Sequence, residues 1–80
     1  MSKYSALRRQ LENAAGPSVE MTFGEVDDIV GGLPASARRH SAWWSNEREG
    51  SHVQAHAWMD AGWRAESVNL TAERVRFTKS

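Results

Sequence analysis

The chain has 80 residues, which bounds it to a single domain, 1–80, with a thin core. It contains no cysteine, and ten Lys and Arg against ten Asp and Glu bring the net charge to zero. These numbers exclude a disulfide framework, a thiolate zinc site and a strongly basic nucleic-acid domain. No apolar run is long enough to cross a membrane, and the N-terminal MSKYSALRRQ lacks the apolar stretch of a signal peptide. A soluble, cytoplasmic protein is the expectation.

Tyr4, Leu7, Leu11 and Ala14 recur at helical spacing and predict a first amphipathic helix that stops at Gly16-Pro17. Val19, Met21 and Phe23 then alternate with Glu20 and Thr22, the pattern of a short strand. Thr22 and Glu25 stand at the two positions of a capping box, with Met21 and Val26 at its hydrophobic staple. A second helix follows, buried through Val26, Ile29 and Val30, and Gly31-Gly32 ends it. Proline suits a first helical turn, so PASARRHSAWW, from Pro34, reads as a third helix. Ser51 and Gln54 form a second apparent capping box for a helix over 51–61, closed by Gly62. WRAESVNL and ERVRF read as two strands joined at Thr71-Ala72, with Val75 and Phe77 on one side and Arg74, Arg76 and Thr78 on the other.

The expected fold class is α+β: helices packed against a small antiparallel sheet that ends in a β-hairpin. The element order is winged-helix-like. Helices two to four would supply a helix-turn-helix-like unit and the 63–77 hairpin the wing. Fold analogy of this kind does not carry function.

His52 and His56 are four apart on one helix, a chelating spacing, but there is no cysteine, His40 lies in a different segment, and no obvious partners complete the four ligands of a structural zinc. No metal and no cofactor is expected. Glu25, Asp27 and Asp28 suit the positive end of a helix better than they suit Mg²⁺. The sequence has neither a nucleophile elbow nor a phosphate-cradling glycine loop, so no catalytic residue is assigned and the chain is read as non-enzymatic.

Basic groups are distributed unevenly. Residues 1–37 carry three basic and five acidic side chains, and 38–80 carry seven and five. Arg38 and Arg39 precede the Trp43-Trp44 pair, and Asn46, Arg48, Ser51, His52 and Gln54 gather before the fourth helix. Arginine pairs with guanine, Asn and Gln with adenine, and a helix N-terminus attracts phosphate. Arg64, Arg74 and Arg76 on the hairpin would track a DNA backbone. These ten residues are the candidate surface for double-stranded DNA, in the setting of a small regulator or a phage- or defence-associated protein. The competing reading is a protein-interaction or homodimerisation module anchored by Trp43 or Trp44. Adjacent tryptophans cannot both face one way on a regular element, and an exposed one makes a strong anchor.

TFGEVDDIVGGLPASARRHSAWWSN followed by QAHAWMDAGWRAESVNLTAERVRF resembles a family of small, functionally uncharacterised prokaryotic domains. The resemblance rests on T-F-x-E, L-P-x-S-A-R, W-W-x-N, a tryptophan block ending A-G-W, and a terminal V-x-F, and it spans Tyr4 to Phe77. Val26 takes the family's isoleucine position and Met59 a leucine position, without change of chemistry. The resemblance implies an association with nuclease or other nucleic-acid-related proteins. It supplies no catalytic residues.

Overall fold

The computed structural model describes residues 3–47 and 53–80. Arg48, Ser51 and His52 lie outside the described residues, and with Ser51 the N-cap half of the second capping box; its other half, Gln54, is described.

Helix α1 runs Ser5–Glu12 and buries Leu7 and Leu11. It ends before Gly16-Pro17 because Asn13 intervenes. The Asn13 backbone N–H and side-chain amide both donate to Arg9 O, at 3.1 and 3.0 Å, and close the last turn. Strand β1, Ser18–Thr22, leads directly into helix α2, Phe23–Val30. Both bonds of the predicted capping box are present: Glu25 N–H donates to Thr22 Oγ1 at 3.0 Å, and Thr22 N–H donates to Glu25 Oε1 at 2.9 Å. Gly31 closes α2 in the left-handed conformation, φ 78°, where a side chain would be strained.

The predicted third helix is broken. Helix α3 covers only Ala35–Arg39, His40 is extended (φ −129°, ψ 116°), and a 3-10 helix follows at Ser41–Trp44. In a continued α-helix, Ala37 O would accept from Ser41 N–H, four residues on. Here it accepts from the Trp44 indole Nε1–H at 2.9 Å. The indole replaces a helical hydrogen bond, and the break turns Trp44 into the core, where it is 2% exposed. Helix α4 spans Ala55–Met59 and buries Ala55, Ala57 and Trp58.

Strands β2, Trp63–Asn69, and β3, Arg74–Lys79, form the C-terminal hairpin, and β1 pairs with the free side of β3. The sheet is antiparallel in the order β1-β3-β2. Its turn is fixed by Asn69 Oδ1, which accepts from Ala72 N–H at 3.0 Å, and by Glu73 at φ 55°. A bulge at Glu66 shifts the β2 register between Ala65 and Ser67.

The molecule is thus mixed α+β, with the helices on one face of a three-stranded sheet. Met21, Val75, Phe77 and Trp63 point inward to Leu7, Leu11, Phe23, Val26 and Trp58. Trp44 sits between Phe23 (ring centroids 5.2 Å apart, 17° between planes) and Trp58 (5.9 Å, 23°). Large aromatic rings supply the burial that so short a chain needs. The expected C-terminal hairpin is present, but a winged helix is not shown. Among the described residues, α3 and α4 are five residues each, so neither offers the long recognition helix of such folds.

Candidate nucleic-acid interface

The outward face of the sheet is polar because the strands alternate. With Met21, Val75 and Phe77 turned into the core, their neighbours Glu20, Thr22, Arg74, Arg76 and Thr78 must face solvent. Register builds three rows across the strands. Thr22 and Asn69 flank Arg74, Glu20 and Ser67 flank Arg76, and Ser18 and Arg64 flank Thr78. The bulged Glu66 adds a carboxylate to the same face, near both Arg64 and Arg76. Half or more of each arginine side chain is exposed: 58% for Arg64, 54% for Arg74 and 50% for Arg76.

This face is a ladder of alternating charge. Arg74 Nη1 donates to Glu20 Oε1 at 2.9 Å. Arg64 and Arg76 approach Glu66 at 3.9 and 4.0 Å, and Arg64 Nε donates to Thr78 Oγ1 at 3.3 Å. Exposed pairs of this kind are each worth about 0–1 kcal/mol, so a ligand can open them cheaply. At the edge of the face, Glu25 is held below the ordinary carboxylate range. The Thr22 backbone N–H contributes most, then the Thr22 hydroxyl, with Arg74 adding a favourable field.

Arg64, Arg74 and Arg76 therefore share one surface, and the other expected contact residues do not join them. Arg38 is engaged by Glu73 at 3.0 Å and Asp27 at 3.9 Å, which ties α3 to the hairpin turn and to α2. Arg39 is exposed on α3 and has no ion-pair partner among the described residues. Gln54 is only 5% exposed, and its amide donates to Trp43 O at 2.7 Å. Asn46 is engaged through both its oxygen and its nitrogen. Its Oδ1 accepts from Trp58 Nε1–H and Ala65 N–H, both at 2.8 Å, and its amide donates to Ala65 O at 2.9 Å. The Asn46 side chain thus pairs with the outer edge of β2 as a strand backbone would.

The two adjacent tryptophans divide unequally. Trp44 is buried and presents no surface, whereas Trp43 is half-buried against Tyr4, Trp44 and Trp58, with ring centroids 6.1, 4.7 and 6.5 Å away. A partner docking on this pair would meet Trp43 and not Trp44.

Glu20, Glu66 and Ser67 belong to the surface and were not among the expected residues. The signal for Glu20 was present in sequence, since it occupies the outward parity of a strand whose inward residues are Val19 and Met21. Glu66 reaches the face only through the bulge, which alternation does not disclose. Elsewhere, a hollow of about 390 Å³ lies against α1 beside Arg9, Gln10 and Asn13, and another of about 90 Å³ lies between Tyr4 and Ala57. Among the described residues no group of three or more His, Cys, Asp or Glu is placed to hold a metal ion, and no helix is long and apolar enough to cross a membrane.

No curated protein and no solved structure matches the chain. Residues 4–80 match the family described as Domain of unknown function (DUF7662), and the chain belongs to that family of uncharacterised small domains.

Proposed function

We propose that the domain is a non-enzymatic DNA-binding module that presents the outer face of its sheet, rather than α4, to the duplex. The observation that carries this reading is the gathering of Arg64, Arg74 and Arg76 on one uncovered, polar, three-stranded surface. Sheets are an established means of entering a groove. Adjacent strands lie about 4.8 Å apart, so three span roughly 10 Å, against a major groove about 12 Å wide. The arginines stand two residues apart on β3, which is about 6.8 Å and two base-pair steps along the axis. The helical side offers less. Arg38 is ion-paired, Asn46 and Gln54 are committed to internal hydrogen bonds, and α4 is a turn and a half long.

The test is fluorescence anisotropy with a labelled duplex of about 20 base pairs at roughly 50 mM salt, where electrostatic binding is still strong. Arg74→Ala/Arg76→Ala is expected to lower affinity by about tenfold or more, since one well-placed arginine contact is worth about 1–3 kcal/mol. Arg39→Ala, away from the sheet, is expected to change it by less than about twofold. A wild-type protein that binds no duplex even at this salt overturns the proposal.

A further inference from the structure

The carboxylates on the sheet face point to a narrower ligand. A surface built only to follow phosphates gains nothing from acidic side chains, because each one repels the backbone it must approach. This face nevertheless carries Glu20 and Glu66 among its three arginines, with Glu20 in direct hydrogen-bond contact with Arg74 at 2.9 Å. Among the described residues neither carboxylate is consumed by a backbone group in the way that Glu25 is by Thr22 N–H. Each arginine-carboxylate couple sets a multiple donor beside an acceptor-only group. In the major groove a G·C pair offers the complementary set: guanine O6 and N7 accept, and cytosine N4–H₂ donates. An A·T pair instead sets the thymine methyl against one of the two charged groups, which strips it of water without a hydrogen bond in return.

Resting on the sheet-face reading above, we infer that the Arg74–Glu20 and Arg76–Glu66 couples read G·C pairs in the major groove, arginine to guanine and glutamate to cytosine. The two pairs that screen the face in the free protein open when it docks, and each partner exchanges the other for a base edge. The carboxylates also explain why the domain need not be basic. Their charge lowers affinity for DNA in general, so binding depends on base contacts that replace the ion pairs.

The experiment compares two duplexes of equal length, one rich in G·C and one in A·T, with the wild type and with Glu20→Gln/Glu66→Gln. Both glutamates are exposed, and far-ultraviolet circular dichroism verifies the fold of the variant. The wild type is expected to prefer the G·C duplex by about tenfold, the scale of one good bidentate contact. In the variant, glutamine suits adenine, so the preference is expected to fall below about twofold or to reverse. If both duplexes gain affinity equally in the variant, the carboxylates only screen the arginines and the inference fails. Equal wild-type binding to both duplexes also overturns it, while leaving the DNA-binding reading in place. Absence of binding to either duplex removes both.

Discussion

Asn46 serves three polar groups with one amide, and one of them, the Trp58 indole N–H, has no substitute in water. Trp58 is fully buried, so its indole N–H has no access to water if Asn46 Oδ1 is lost. Asn46→Ala is therefore expected to cost about 2–3 kcal/mol, the price of leaving a buried donor unpaired. Asn46→Asp keeps the acceptor for the Trp58 and Ala65 N–H groups but turns its second oxygen against Ala65 O, so it should cost less than Asn46→Ala and more than the one lost bond. Urea denaturation of the two variants checks the order. If Asn46→Ala matches the wild type, the bracket is ornamental. Trp63 shows the opposite situation at the same scale. It is 1% exposed, its Nε1–H has no hydrogen-bond partner among the described residues, and the Lys79 ammonium lies 5.6 Å from its ring centroid. Packing and a cation over the ring face retain it there without a bond to its nitrogen.

Helix α2 is specified almost wholly by its own residues. The Thr22–Glu25 box starts it, Val26 and Val30 bury it, and Gly31 ends it. Because Thr22 holds the Glu25 carboxyl below the ordinary range, the folded state favours the ionised form more than the unfolded state does. That contribution is complete above the ordinary carboxylate range and is lost as pH falls through the lowered value. Thr22→Ala is expected to cost about 1 kcal/mol at neutral pH through the lost cap, and to flatten the acid limb of the stability profile only in part, as pH falls from neutrality through the lowered Glu25 value, because the Thr22 backbone N–H that contributes most survives the substitution. Denaturant midpoints across that range measure it, and an acid limb as steep as the wild type's would count against the box. The same locality made α2 legible in sequence, down to its cap and its glycine stop. Helix α3 was not legible. Its break depends on the Trp44 indole taking Ala37 O, a contact seven residues long that periodicity cannot register. Only the tertiary pull of the core on Trp44 favours it over the helical alternative.

At the scale of the molecule, a net charge of zero means that DNA affinity must arise from local arrangement. Three sheet arginines neutralise at most three phosphates, so the logarithm of affinity should fall with the logarithm of salt no more steeply than about −2.7. Nothing in the alternation chose β3 as the partner of β1, but the hairpin was legible because alternation and turn residues declare it. The pairing of the arginines was not, since Glu20 lies 54 residues from Arg74 and Glu73 lies 35 from Arg38. Sequence therefore suggested a row of free cations where the fold has matched ones, and it assigned Asn46 and Gln54 to contact where the fold uses them as brackets. The Asn46 bracket has one more consequence. Ala65 N–H is shielded not by a neighbouring strand but by a side chain 19 residues earlier. Its exchange with deuterated solvent therefore reports undocking of the 41–46 segment from β2, an event distinct from unzipping of the hairpin. If the segment and the strand open as one cooperative unit, Ala65 should exchange at the same rate as the amides paired within β2 and β3. Faster exchange at Ala65 alone would mark the segment as the first part of the molecule to lift away.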